Sequence, residues 1–504
     1  MSFKQNSGPG FATRIAARFS SLWTVAGLLL LSEFVYIALV RFEAVSTARS
    51  VLAFIALMTV LFAFYGTAYL SLKHFGERQR GAFTLIIVGA ILFRITLLFA
   101  GIPRRHTLAE LAPAVRADVR GQFVTYDSFL LFDNDVWRYA WDGHVAAAGV
   151  NPYLYEPRNP ALDRLVQCGD NCTLWGDIRA NVNHPEIPTI YPPFAQVIFR
   201  FAHAIAPGSV FIMKSLFVLC DLVTVLFVAL TLRILNRPLA DTILYAWNPL
   251  VIKVVAGSGH VDAVLAMLLS ATVYFMLRGS HFVAASTWAL SVLVKLSPVV
   301  LLPFLIRCLG WRRSAVGVTL VAIGYLPYLD HRGSAFVGLR TFADNWQFNS
   351  ASFSTIEWLA GYFTHNPILI AKATAALAFL VMLAWLIHKD DAQSDSFAFY
   401  AVTALGACLL LSPALMPWYI VWLIPLAVVG RVYVWIQFSL AVCLAFIAMI
   451  HGAVPAWALA IEYGTFCLYA CRAPLRRTLF KYKFCELQAA RPTGRFPDRA
   501  NLWR

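Results

Sequence analysis

Phe129-Leu130-Leu131-Phe132-Asp133-Asn134-Asp135-Val136-Trp137-Arg138-Tyr139-Ala140-Trp141-Asp142-Gly143 crowds three Asp and one Arg into a chain that is 60% hydrophobic and only 13% charged. In such a chain an ionisable group must reach water or meet a charged partner. The cluster directly follows an apolar tetrad, so it begins close to a bilayer. Each unneeded charge at mid-membrane depth would cost roughly 2.5–3.5 kcal/mol on insertion scales. Where this stretch lies relative to the membrane therefore decides the topology.

A mean hydropathy of +0.68 held over 504 residues excludes an ordinary soluble domain. The expected class is an all-α polytopic membrane protein. Apolar runs at 20–41, 51–73 and 83–102 precede the cluster, each near the length that crosses the hydrocarbon. Lys4, Arg14 and Arg18 before the first run, and Lys73, Arg78 and Arg80 before the third, read as cytoplasmic. Three crossings then place residues 103–208 outside, as a folded region carrying short helices, because irregular backbone cannot lie in lipid. Further spans are expected near 209–234, 240–256, 261–278, 281–296, 298–309, 314–329, 367–387, 396–411, 418–429, 432–450 and 453–470. The total is roughly 11–14 transmembrane helices.

The chain thus divides into a three-helix membrane segment (1–102), an external catalytic loop region (103–208), a multi-helix membrane region (209–471) with an external loop at 330–366, and a basic tail (472–504). Arg233, Arg237, Arg312, Arg313, His388, Lys389 and the tail all fall on the cytoplasmic side in this arrangement, as do both termini. The first apolar run is long enough to remain as an uncleaved anchor. The net charge of +15 reports loop topology and anionic lipid. No nucleic-acid signature is present.

Within the cluster, a helix capped by Asp133 or Asn134 puts Asp135, Arg138, Tyr139 and Asp142 on one face. Trp137, Trp141 and His144 turn the other way, with indoles suited to an interfacial position. Gly149 and Pro152 supply the stop. The polar face is either a candidate active site or a surface helix whose Asp and Arg side chains satisfy one another. Elsewhere, His260 and Asp262 flank a glycine break where sugar or phosphate contacts compete with a plain interhelical hydrogen bond. Lys295 reaches the outer face, either to bind phosphate or to snorkel. Gln196 follows Tyr191-Pro192-Pro193, which shapes re-entry into the membrane. Trp418 and Tyr419 suit sugar stacking or an aromatic belt. In the second loop Arg340, Asp344, Asn345 and Trp346 are candidate acceptor contacts.

Of nine cysteines, Cys168 and Cys172 flank a short external loop where a disulfide could close. Cys220, Cys308, Cys408, Cys443, Cys467 and Cys471 read as small buried hydrophobes, and Cys485 lies in the tail. Zinc would need further ligands, with only His184 nearby.

The runs Asp135–Gly143, Gly149-Val150-Asn151-Pro152-Tyr153 and Pro188–Gln196 resemble the integral-membrane GT-C glycosyltransferases. So do Asn248-Pro249, Gly259-His260-Val261-Asp262, Lys295-Leu296-Ser297-Pro298, Ser412-Pro413 and Pro417-Trp418-Tyr419. The similarity is to the bacterial branch related to polyprenyl-phosphate-mannose-dependent mannosyltransferases, and it spans most of 130–425. It implies a GT-C-like helix bundle in a bacterial inner membrane, with an external acid near the bilayer acting as base at the position of Asp135. The implied reaction is inverting transfer of a hexose, mannose as best guess, from a polyprenyl-phosphate donor to a hydroxyl on a glycan or lipid-linked acceptor. Substrate-binding residues would be Arg138, Tyr139, Asp142, Gln196, His260, Asp262, Lys295, Trp418 and Tyr419.

The chain departs from the commoner pattern by having three spans before the acid and Asn134 where relatives often carry a second Asp. No cofactor is expected, the alternative being a divalent cation held by Asp133 and Asp135. If Asp133 only caps the helix, Asn would serve there as well. The competing class is a polytopic lipid or sugar transporter or flippase, which would place its charges at the bilayer midplane.

Overall fold

The computed structural model describes residues 11–74, 80–102, 108–120, 129–167, 172–330 and 333–471. The described residues are helical with no strand, apart from an isolated bridge between Phe348 and Ala414. The chain is an all-α polytopic membrane protein. Cys168 lies outside the described residues, and so does the side chain of Cys172.

Helices α1 (Phe11–Val40), α2 (Ala48–His74) and α3 (Arg80–Leu97) follow the first three apolar runs, and α1 packs on both of the others. The next region carries short helices: α4 (Leu108–Val119), α5 (Asp135–Ala147) and α6 (Pro193–Ile205), with smaller turns between them. Then α7 (Val210–Ile234) packs on α8 (Asp262–Leu277), which packs on α9 (His281–Val292).

Among the described residues, five helices are long and apolar enough to cross a membrane on their own: Leu22–Val40, Ala48–Lys73, Val210–Ile234, Pro367–Lys389 and Val434–His451. Of the other expected spans, five are shorter apolar helices, one is a pair, Leu239–Ala246 and Pro249–Ser258, bent by 49°, and those expected at 281–296, 314–329 and 453–470 are helices outside both groups. The bend falls at Asn248-Pro249, inside the single span expected at 240–256. Asn248 Oδ1 accepts from the Leu250 and Val251 amides at 3.1 and 3.3 Å, a cap that starts a new helix. Pro249, with no N–H to donate, occupies its first turn. The following turn, Lys253–Ser258, is a π-helix and wholly buried. Short helices suffice here because their neighbours are other helices, whereas Pro367–Lys389 has only 11% of its length buried and faces outward.

Two buried basic groups hold the halves together. Arg94 in α3 pairs with Asp221 in α7 at 2.6 Å, both fully buried, and Tyr245 donates to the same carboxylate. Lys214 of α7 donates to the carbonyls of Leu98 and Ala100 at 2.8 and 2.9 Å, satisfying the open end of α3. Of the cysteines expected to be buried, Cys443 is, while Cys467 and Cys471 are exposed on the 456–471 helix. An apolar side chain in a span is stable against lipid as well as against protein.

α5 and α6 touch closely because Gly143 has no side chain: a Cβ there would lie 2.5 Å from the Phe199 carbonyl oxygen. Gly143→Ala is therefore expected to lose about 1–3 kcal/mol through overpacking, read as a lower melting temperature of the detergent-purified protein. Gly149→Ala, where a Cβ meets open space but φ is +75°, should lose stability through backbone strain without parting the two helices.

Candidate active site

α5 starts where a strained turn ends. Leu131 and Phe132 both have positive φ, 51° and 65°, a region that costs residues with a Cβ about 1–3 kcal/mol each. The turn is held by packing: the Phe132 ring lies 5.3 Å from Phe54 and 6.4 Å from Phe446. The Ser258 hydroxyl donates to the Leu130 carbonyl at 2.9 Å. The turn turns Asp133 inward, against the bent helix.

Asp133 is thus more than a cap. Its Oδ1 accepts the Asp135 amide at 3.2 Å, while its Oδ2 binds His260 Nε2 and faces Lys253 Nζ at 3.9 Å. The N-cap residue is Asn134, whose side chain makes no capping bond. Burial, the largest influence on Asp133, works to raise its proton affinity, but the His260 charge and hydrogen bond, with Lys253, outweigh it and hold the carboxyl below its usual range. For His260 the balance runs the other way. Burial would lower its value, yet Asp133, Asp262 and Asp135 push it up to about 9, so the ring is cationic at neutral pH.

Asp135 is the acid that opens outward, with 13% of its side chain exposed. Asn183 Nδ2 donates to its Oδ1 at 2.5 Å, and the Tyr191 hydroxyl to its Oδ2 at 3.0 Å. The Tyr139 hydroxyl is 3.4 Å from the same oxygen. Burial and the neighbouring Asp133 raise its proton affinity, against His260, Tyr191 and Asn183, and the net direction is upward.

On the remaining polar face of α5, Arg138 borders the cavity and Asp142 lies behind it. Arg138 donates to the carbonyls of Ile187 and His184 at 2.6 and 3.4 Å and lies 3.3 Å from Asp142. Asp142 accepts from Thr189 at 2.5 Å and from Gln196 at 3.2 Å. Burial raises its proton affinity above the usual carboxylate value, against Arg138 and these two donors. The opposite face is not interfacial as expected, since Trp137 and Trp141 are buried, Arg179 lies 5.6 Å from the Trp141 ring, and His144 stacks on Trp175.

From the other side, Lys295 Nζ donates to Asp262 at 2.6 Å and sits 4.2 Å from the centre of the Tyr419 ring. Trp418 stacks on His260 at 4.7 Å. All these elements surround a cavity of about 390 Å³. Of the residues singled out in the sequence, Asp133, Asp135, Arg138, Lys295, Trp346, Trp418 and Tyr419 line it. Tyr139, Asp142, Gln196, His260 and Asp262 join the same network but stand behind its wall, so they support rather than line the opening. Arg340 and Asp344 pair with each other on the exposed surface at 3.8 Å, and Asn345 bonds its own helix.

Lys253, Asn183 and Thr189 were not anticipated. Lys253 had a signal, being a lone cation inside an apolar run. The cavity's remaining wall is apolar: Phe348, Met416, Ala445, Phe446, Ala448 and Met449. The last four belong to the candidate span Val434–His451.

Asp133, Asp135 and His260 each present a ligand atom, all within 4.8 Å of one another. The set could hold a metal ion, in competition with Lys253, whose Nζ faces Asp133 at 3.9 Å.

Residues 128–310 match the alpha-(1->6)-mannopyranosyltransferase family over its N-terminal domain. The matched stretch contains every polar residue of the network from Asp133 to Lys295 and leaves out Trp346, Trp418 and Tyr419. No curated protein matches the chain.

Replacing Asp133 by Asn would strand two buried cations, and breaking a buried pair costs about 3–5 kcal/mol. Asp133→Asn is expected to melt well below wild type. Asp135→Asn, at a carboxylate held by neutral donors, should melt close to wild type. Equal melting temperatures for wild type and Asp133→Asn would refute the pairing.

Proposed function

We propose that this membrane-bound glycosyltransferase, a mannosyltransferase by its family, moves mannose from a polyprenyl-phosphate donor to a hydroxyl of a glycan or lipid-linked acceptor, with inversion, and that Asp135 is the base. The observation that carries the reading is the placement of Asp135. It is the partly exposed acid, hydrogen-bonded by neutral donors with the His260 ring 3.8 Å away, at a cavity part of whose wall comes from a candidate membrane span. That wall suits an isoprenoid chain, and Lys295 at the polar end suits its phosphate. The family name favours the primary 6-hydroxyl of a mannoside as acceptor.

In the reaction the acceptor oxygen attacks the anomeric carbon as the bond to the phosphate oxygen breaks. The departing polyprenyl phosphate takes the electron pair, and the acceptor proton passes to Asp135. An ordinary carboxylate is a weak base for an alcohol, but its raised proton affinity brings it closer to the task. Lys295 would neutralise charge on the leaving phosphate and the Asp262 carboxylate would hold its ammonium in place. Asp133, His260 and Lys253 form a fixed charged floor under the base. The GT-C-like architecture, the bacterial inner membrane, and an active site on the non-cytoplasmic side belong to the same proposal. It is supported by the basic turns that alternate with the spans. The transporter alternative would place charges within the spans, as the Arg94–Asp221 pair is, but the larger charged network surrounds the cavity.

Asp135→Asn, isosteric but without proton affinity, should lower sugar transfer from polyprenyl-phosphate mannose by roughly 10²–10⁴. Lys295→Ala should weaken donor use at limiting donor, and unchanged turnover there would reduce Lys295 to a structural residue. Full activity of the purified Asp135→Asn protein would sink the reading.

Because the chain supplies its own cations at the acid pair, activity of enzyme dialysed against excess EDTA should match that of untreated enzyme. A loss restored by Mg²⁺ or Mn²⁺ would assign Asp133 and Asp135 to a metal instead.

A further inference from the structure

The cavity has two kinds of wall, and they assign its two substrates. Ala445, Phe446, Ala448 and Met449 come from a candidate span. The opposite rim is built from two loops outside any candidate span: Asn183, His184 and Ile187 from one, Phe342 and Trp346 from the other. The loops meet where the Trp346 ring stands edge-to-face with His184, centroids 4.3 Å apart. Beside them Glu186 lies 3.4 Å from His184 Nδ1, and both side chains are about half exposed, 54% and 52%.

This rim is built, not incidental. His184 has φ +47°, a strained conformation for a residue with a Cβ. Arg138 fixes the loop by donating to the carbonyls of His184 and Ile187. Asp142, Thr189 and Gln196 fix its far end. The second loop is docked on the first at Gly338, where a Cβ would fall 2.5 Å from the Pro188 carbonyl oxygen. The loop's exit is tied by the Phe348 amide to the Pro413 carbonyl at 3.0 Å. Much of the polar face of α5 thus serves to hold the segment that carries His184 and Glu186, which is continuous with Asn183, the residue that holds Asp135.

Trp346 is only partly buried, with His184 and Phe342 against its ring at 4.3 and 5.1 Å; an indole surface left partly open near a half-exposed carboxylate is the chemistry that binds a sugar ring, the apolar C–H face stacking and the hydroxyls bonding to the acid. We propose that Trp346, with His184 and Glu186, forms the subsite for a saccharide ring of the acceptor, placing its hydroxyl at Asp135, while the lipid-linked donor takes the span-derived wall. The assignment rests on the glycosyl-transfer reading of the cavity. Trp346 lies outside the family-matched residues, so this part of acceptor recognition belongs to the chain's second half.

The test uses the full-length protein in detergent with an alkyl α-mannoside as probe. Saturation-transfer NMR without donor should show mannoside binding to wild type and its loss in Trp346→Ala, with Trp346→Phe binding within about threefold of wild type. In the transfer assay Trp346→Ala should raise the mannoside KM at least tenfold with a donor KM close to that of wild type. Glu186→Gln should raise the same KM by a smaller factor. Mannoside binding that survives in Trp346→Ala, or a rise in donor KM instead, overturns the subsite. Binding that depends on Trp346 in a protein without transferase activity would uphold the subsite and sink the Asp135 chemistry alone.

Discussion

The bond between the Asp133 carboxylate and the His260 ring is the interaction on which the rest depends. Both groups are buried in a lipid-bathed bundle, where neither charge could persist alone. Their pairing ties the turn at 130–133 to the break at 259–261, and so joins α5 to the bent helix pair. From it the network extends both ways: through Asp262 to Lys295, and through Asp135 to Asn183 and Tyr191. The fixed floor leaves Asp135 hydrogen-bonded only by neutral donors, with the His260 ring further off at 3.8 Å, and that difference separates it from Asp133, which binds the ring directly.

Irregular backbone makes this possible. A straight helix over 240–256 would carry its polar groups along one face at regular intervals. The bend at Asn248-Pro249 and the wide π turn after it place Lys253 under Asp133 and let the chain reverse at Gly259 with φ +76°. Gly259 is held close: a Cβ there would sit 2.8 Å from Lys214 Cγ. The turn can therefore neither relax nor accept a side chain without moving His260.

Much of this was legible in the residues. The apolar runs located the helices to within a few positions, since periodicity and length are local properties. The polar face of α5 and the pairs around His260 and Lys295 were marked as one site because charge in an apolar chain demands a reason. What could not be read was direction. Arg138 has the chemistry of a phosphate ligand, but it spends its donors on carbonyls 46 and 49 residues further on. Asp133 looked like a cap because capping is a neighbour effect, whereas its second oxygen answers a ring 127 residues away. Asn183 and Thr189, common residues in a loop, gave no signal at all, and Trp346 stood in a loop with no spacing to set it apart.

That separation of 127 residues also bears on how the protein is made. At roughly 5–20 residues per second, the ribosome delivers His260 about 6–25 s after Asp133. Through that interval the nascent chain holds two carboxylates at the membrane with no cation from the 253–260 turn to meet them. They can wait only in water, so the loop bearing them must already be outside the hydrocarbon while α7 and the bent helix are still being inserted. The strained turn at 131–132 has no Phe446 to rest on until later still. The charged cavity is accordingly a late product of biogenesis, closed when the last helices arrive, and an unfinished chain carries Asp133 and Asp135 without their surroundings.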